Sequence, residues 1–263
     1  NDTLDEFDTA TAIGTVGVGV TNYDDMTAVS GQGYWYFVVA SNEFGWAESL
    51  GDAGWRGMAT VEDVSATDGA HVDRVAVTWT DLDGGETGYA IWRATTSSSN
   101  DAECVGGAGA EDQSFDDEVA VPGQQYWYWL RTTNSTSGGM GLWGDSDPGY
   151  RKLAVVANLA ASSNTFDDRI QITWTDSEGE TGYTLWRNTV NNPNTATKLD
   201  DLSPDTASFD DFDAGTSTNY WYWLRATNST SGSQSDFQAT GAQGRRTQTP
   251  PVVNTLPVSN NVL

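Results

Sequence analysis

Two short turns each gather three carboxylates: TDLDGGETG with Asp81, Asp83 and Glu86, and TDSEGETG with Asp176, Glu178 and Glu180. Oxygen donors concentrated in one loop are what a hard cation such as calcium needs. The spacing is not that of a helix–loop–helix calcium site, and with 37 acidic against 12 basic residues such turns also arise from composition alone. Calcium at Asp81, Asp83 and Glu86 is therefore weighed against a solvated acidic turn, and no other cofactor is implied. The pairs Asp24–Asp25, Asp116–Asp117 and Asp210–Asp211 fall where a strand meets a turn, and Asp suits turns by bonding its own backbone. Asn134-Ser-Thr, Asn228-Ser-Thr and Asn1-Asp-Thr are N-glycosylation sequons, although Asn at the first two positions equally suits capping of a loop. The single histidine, His71, has no Ser or Cys arrangement to serve as a base, Cys104 is alone, and no Gly-rich phosphate loop is present. No catalytic residue is assigned, and the chain reads as non-enzymatic.

A net charge of -25 excludes nucleic acid and anionic membrane as partners, since both need a basic footprint. No run of about 18 apolar residues occurs, so no membrane insertion is expected. No initiator Met or signal peptide stands at Asn1, which reads as a processed or trimmed start. One cysteine excludes an intrachain disulfide and leaves the redox compartment open. The acidity suits an extracellular or cell-surface protein kept soluble by self-repulsion.

Internal repetition sets the architecture. VTWTDLDGGETGYAIWR, Val77 to Arg93, returns as ITWTDSEGETGYTLWR, Ile172 to Arg187, and QYWYWLRTTNSTSG at Gln125 returns as NYWYWLRATNSTSG at Asn219. One offset relates Tyr89 to Tyr183, Phe115 to Phe209 and Tyr126 to Tyr220. Within each copy the pattern has period two and is broken by Gly, Asp, Asn and Ser, which predicts short strands and an all-β fold. The expected division is residues 1–58 as an incomplete unit, 59–153 and 154–248 as full domains, and 249–263 as a terminal strand.

The Trp of the second strand (Trp79, Trp174), the following GYxxWR, and the later YxYxLRxxNxxxG together resemble fibronectin type III repeats, particularly those of secreted bacterial proteins. The resemblance implies tandem immunoglobulin-like β-sandwiches, each with a three-stranded and a four-stranded sheet, and carries no enzyme activity. It also implies that Tyr220, Tyr222 and Leu224 face the core while Trp221, Trp223 and Arg225 face out beside Trp186. The other full copy supplies Trp92, Trp127, Trp129 and Arg131, and the first copy Trp35 and Phe37. Such a patch exceeds what a soluble monomer usually exposes. It is expected to be covered by an Arg–aromatic ladder of its own, by a second subunit, or by a glycan.

The repeat frame is split. GYWYFVVASN at Gly33 matches the aromatic strand, so residues 1–58 correspond to the second half of a repeat. PPVVNTLPVSNNVL resembles VVANLAASSNT at Val155, the first strand of one. A terminal strand carrying Val252, Val253, Leu256 and Val258 is thus a candidate donor to the open first unit of another copy. Repeated head to tail, this homo-oligomeric contact builds a filament. The competing readings are a window of a longer repeat array, and an adhesin or carbohydrate-binding or spacer segment of a longer secreted protein.

Overall fold

The period-two runs of the two full copies form strands, because β-branched and aromatic residues at alternate positions bury one face of a sheet and leave the other for polar groups, whereas the alternating run IGTVGVGV at Ile13–Val20 forms none and is exposed. The computed structural model describes residues 7–82 and 84–248. Two units separate: Asn1–Ala120 with Gln125–Tyr150, and Val121–Gln124 with Arg151–Leu263.

The first unit opens with the incomplete repeat. A 3-10 turn, Phe7–Thr9, precedes β1 (Gly33–Tyr36), β2 (Val39–Asn42), β3 (Gly45–Glu48) and β4 (Asp52–Trp55). β1 pairs antiparallel with β4 and β2 with β3, and no described strand pairs with the other edge of β1. The second repeat follows with β5 (Ser65–Ala66), β6 (Val75–Thr78), β7 (Gly88–Ala94), β8 (Glu103–Gly109), β9 (Ser114–Asp117), β10 (Tyr126–Asn134), β11 (Gly139–Met140) and β12 (Asp147–Gly149). One sheet runs β5-β6-β9; the other runs β8-β7-β10, with β11 and β12 both on the far side of β10.

The second unit contains β13 (Ala160–Ala161), β14 (Ile170–Thr173), β15 (Gly182–Asn188), β16 (Thr197–Leu202), β17 (Ser208–Asp211), β18 (Tyr220–Thr227) and β19 (Ala242–Gly244). Its sheets are β13-β14-β17 and β16-β15-β18-β19, the three-plus-four division that the resemblance implies. Alternation fills its core: Ile170 and Ile172 from one sheet meet Tyr183, Leu185, Tyr222 and Leu224 from the other, over Trp174. Val75, Val77, Tyr89, Ile91, Tyr128 and Leu130 repeat the arrangement over Trp79 in the first unit. Each such aliphatic side chain contributes about 1.5–3 kcal/mol when fully buried. A bulge breaks the register at Ile91/Trp92 and again at Leu185/Trp186, a matched defect that adds twist at the same point of both sandwiches.

One polar cluster crosses each core. Asp117, at the end of β9, reaches the opposite sheet, where Tyr128 Oη donates to its Oδ2 at 2.9 Å and Arg93 Nη1 at 2.7 Å. Its Oδ1 accepts the Val119 and Ala120 amides, closing the turn that follows. Asp211 does the same with Tyr222 at 2.7 Å and Arg187 at 2.6 Å. The guanidinium carbons lie 4.4 Å over the Tyr126 ring and 4.8 Å over the Tyr220 ring. A buried carboxylate is tolerated only when paired and hydrogen-bonded, and both carboxylates are.

Burial pushes the Tyr183 hydroxyl up to about 12, and pushes those of Tyr89, Tyr128 and Tyr222 higher still. A raised folded value means that the neutral phenol is favoured in the fold. The contribution is whole below the unfolded value of about 10 and is lost as the pH climbs through 12. In an alkaline titration, tyrosinate absorbance from the core tyrosines is expected to rise together with loss of the β-sheet circular dichroism. Full tyrosine ionisation with the sheet signal intact would contradict this.

Candidate functional site

The aromatic strands place their side chains on two faces, as alternation requires, but the outer face is only partly open. Trp223 is fully buried and Trp129 is 4% exposed, which corrects the expectation that both rings face solvent. The chain that follows β18 folds back over Trp223. Gly241 packs so closely that a Cβ there would sit 2.8 Å from the Trp223 ring. Arg225 stacks over Phe237 at 3.9 Å, and Trp186 meets the same ring edge-on at 5.7 Å. In the second repeat Arg131 lies 4.8 Å over Trp143, which meets Trp92 edge-on at 5.2 Å, and Arg131 Nε donates to the Gly141 carbonyl. Trp92, Trp127, Trp186 and Trp221 remain half-buried, with Arg131 and Arg225. Trp143 and Phe237 are the covers that pattern reading missed, since they lie beyond the recognisable strand in segments without alternation.

The acidic turns are largely committed to their own loops. Asp81 Oδ1 accepts the Tyr89 hydroxyl at 2.7 Å and Glu86 accepts the Gly84 amide, while Asp83 lies outside the described residues. In the other copy Asp176 accepts the Tyr183 hydroxyl at 2.6 Å and Glu180 accepts the Asp205 amide at 2.9 Å. Asp176 and Glu180 gather with Asp205, not with Glu178, within 4.8 Å of one another. Burial, with Asp176 nearby, raises the Glu180 carboxyl.

Asn134 and Asn228 are each 8% exposed. Asn134 Nδ2 donates to the Gly85 carbonyl at 2.6 Å and Asn228 Nδ2 to that of Gly179 at 2.8 Å. Their Oδ1 atoms accept the amides of Thr136 and Ser137, and of Thr230 and Ser231. The nitrogen that would carry a glycan thus already holds a neighbouring turn in place. That turn is itself a docking point: a Cβ on Gly85 would lie 1.9 Å from the Ser30 carbonyl oxygen, so only glycine lets the incomplete repeat pack against the second. Asn1 lies outside the described residues, as do Val252, Val253, Leu256 and Val258.

The most open surface belongs to the incomplete repeat. Val38 is 70% exposed, Leu50 85%, Trp46 66% and Trp55 51%, and Trp35 is 43% exposed. Tyr23, Asp25, Met26, Tyr36, Trp55 and Arg56 line a cleft on it. Tyr36 is only half-buried, whereas its equivalents Tyr128 and Tyr222 are completely buried. The difference follows from connectivity: no described strand stands where β6, β7, β14 and β15 cover the other two repeats.

A two-domain fibronectin type III segment from chicken tenascin superposes with a TM-score of 0.55 at 11% identity, covering 70% of this chain and 98% of that one. The FN1–FN3 domains of chicken CNTN1 align at 17% identity over 79% of this chain and 74% of theirs, with a TM-score of 0.32. An Fn3-like protein from Clostridium thermocellum aligns at 19% identity over 38% of this chain and 98% of its own, with a TM-score of 0.31. No protein-family model and no curated protein matches the sequence. The fold is that of tandem fibronectin type III-like β-sandwiches. Among the described residues no helix is long and apolar enough to cross a membrane.

If Phe237 is the cover for Trp186 and Arg225, Phe237→Ala should leave the sandwich folded, lower its stability by roughly 1–2 kcal/mol, and shift tryptophan emission to the red. Urea denaturation and acrylamide quenching measure both. Unchanged quenching would remove Phe237 from that role.

Proposed function

We propose that the chain is an extracellular, non-enzymatic structural protein whose copies join head to tail by strand complementation. The observation that carries the reading is the open side of the incomplete repeat, where Val38, Leu50 and the Tyr36 side of β1 present an apolar face and a free strand edge. Exposed edges and apolar faces recruit further strands, which is why monomeric sheet proteins blunt or cover them. The segment 249–263 supplies a candidate donor. Its VVNTL aligns with Val155–Leu159, where Val156 is 2% exposed and Leu159 packs on the core while Val155 is 46% exposed. By that equivalence Val253, Leu256 and Val258 turn inward and Val252 turns out.

A second reading has one observation in its favour. Trp35, Trp46 and Trp55 remain exposed on the incomplete repeat, so a glycan-binding adhesion segment would use that surface rather than the covered aromatic strands.

Negative-stain electron microscopy of the purified chain should show filaments, and removal of residues 249–263 should leave monomers. Monomers at every concentration for the intact chain would overturn self-assembly. A saturable change in tryptophan emission with polysaccharide, absent after Trp46→Ala, would favour the adhesion reading instead.

A further inference from the structure

The cross-core cluster is built three times, but only two copies hold an arginine. In the incomplete repeat Asp25 takes the place of Asp117 and Asp211. Tyr36 Oη donates to its Oδ2 at 3.1 Å, and the Thr27 and Ala28 amides donate to its Oδ1 at 2.8 and 3.1 Å. Tyr34 takes the place of Tyr126 and Tyr220. Its hydroxyl accepts the Val29 amide at 3.1 Å, as Tyr220 accepts that of Gly215 at 3.2 Å. Ring centroids of the tyrosine pair are 6.2 Å apart, against 6.4 and 6.5 Å in the other repeats. Carboxylate, phenol and ring face therefore stand in the arrangement that elsewhere receives Arg93 and Arg187.

No ion pair to Asp25 exists among the described residues. Arg56 is close, but its Nη1 donates to the Ala28 carbonyl. Arg246, at the same place in the third repeat, donates to Ala214 while Arg187 holds the carboxylate, so the two roles coexist. The Thr27 hydroxyl and amide keep Asp25 below the usual carboxylate range, and it is charged at neutral pH.

We infer that Asp25, Tyr34 and Tyr36 form a preorganised guanidinium socket for an arginine-bearing β-strand of the Gly-Tyr-x-x-Trp-Arg type, adding antiparallel to the free edge of β1. The register follows from the other repeats. Arg93 stands opposite Tyr128 and Arg187 opposite Tyr222, so the incoming arginine stands opposite Tyr36. Its guanidinium then meets the Asp25 carboxylate and the Tyr34 face together, a charge-assisted bond with a cation–π contact. The apolar residue two positions before the arginine comes opposite Val38, as Ile91 does opposite Leu130.

The occupant is not the terminal segment proposed above as a donor. Residues 249–263 contain no arginine or lysine, and neither do residues 1–6. The segment's equivalent is a first strand, whereas the socket belongs to the third. The inference shares the open side of the incomplete repeat with the complementation reading, but adds a second, arginine-bearing strand as partner.

The test titrates the full chain with a fluorescein-labelled peptide of the sequence ETGYTLWRNTV, residues 180–190. Its Arg187→Gln version and a scrambled peptide of the same composition are run beside it. The native peptide should bind, and the Gln version and the Asp25→Asn chain should each lose about tenfold or more in affinity. Together they should lose no more than either alone, because both remove one contact. Asn at position 25 keeps both acceptor contacts of the turn, and circular dichroism verifies that the fold is retained. No binding, equal binding of the scrambled peptide through net charge, or an Asp25→Asn chain that binds as before overturns the socket. Peptide binding through Asp25 by a chain that stays monomeric keeps the socket and removes self-assembly; filaments formed by a chain that does not bind the peptide do the reverse.

Discussion

Each complete sandwich turns on one carboxylate. Asp117 and Asp211 are 1% and 2% exposed, stand on the smaller sheet, and are neutralised only by groups of the larger one. A charge so buried is tolerable only with its partners in place, and removal of one partner from such a pair costs about 3–5 kcal/mol. The cluster therefore ties the sheets at a fixed height, fixes the register of the aromatic strand against its GYxxWR neighbour, and shapes the turn beyond the carboxylate. Apolar packing supplies most of the stabilisation, but it is non-directional, and the ion pair makes one stacking of the two sheets preferable to its neighbours.

The same cluster explains what is unusual about the incomplete repeat. Its turn, carboxylate and tyrosine pair are assembled by local contacts, so they keep their geometry where no described strand covers them. The apolar side has no such protection, and Tyr36 and Val38 are left in reach of solvent. Local order beside an open core is the state expected of a complementation partner, since a preshaped site spares the incoming strand the cost of organising it.

Much of this was legible in the residues. Period two gave the strands of the full copies, repetition gave the copies, and alternation set Tyr222 and Leu224 apart from Trp223, with the fibronectin-like pattern turning the first two to the core. The pattern could not say that Trp223 is buried as well, because the chain packed on its ring at Gly241 lies in a stretch without periodicity. Asn134 and Asn228 spelled a sequon and a turn cap equally well. The amide bond to the Gly85 or Gly179 carbonyl distinguishes them, and those partners are remote in sequence.

The sequence by itself determined the class of fold, the number of copies and the face on which each strand residue stands, because these follow from local spacing and from repetition. The tertiary structure alone decided which aromatic rings are sealed and which carboxylates are paired. Those depend on residues brought together from separate strands, and no local pattern encodes the distance between Asp211 and Arg187 or that no described arginine pairs with Asp25.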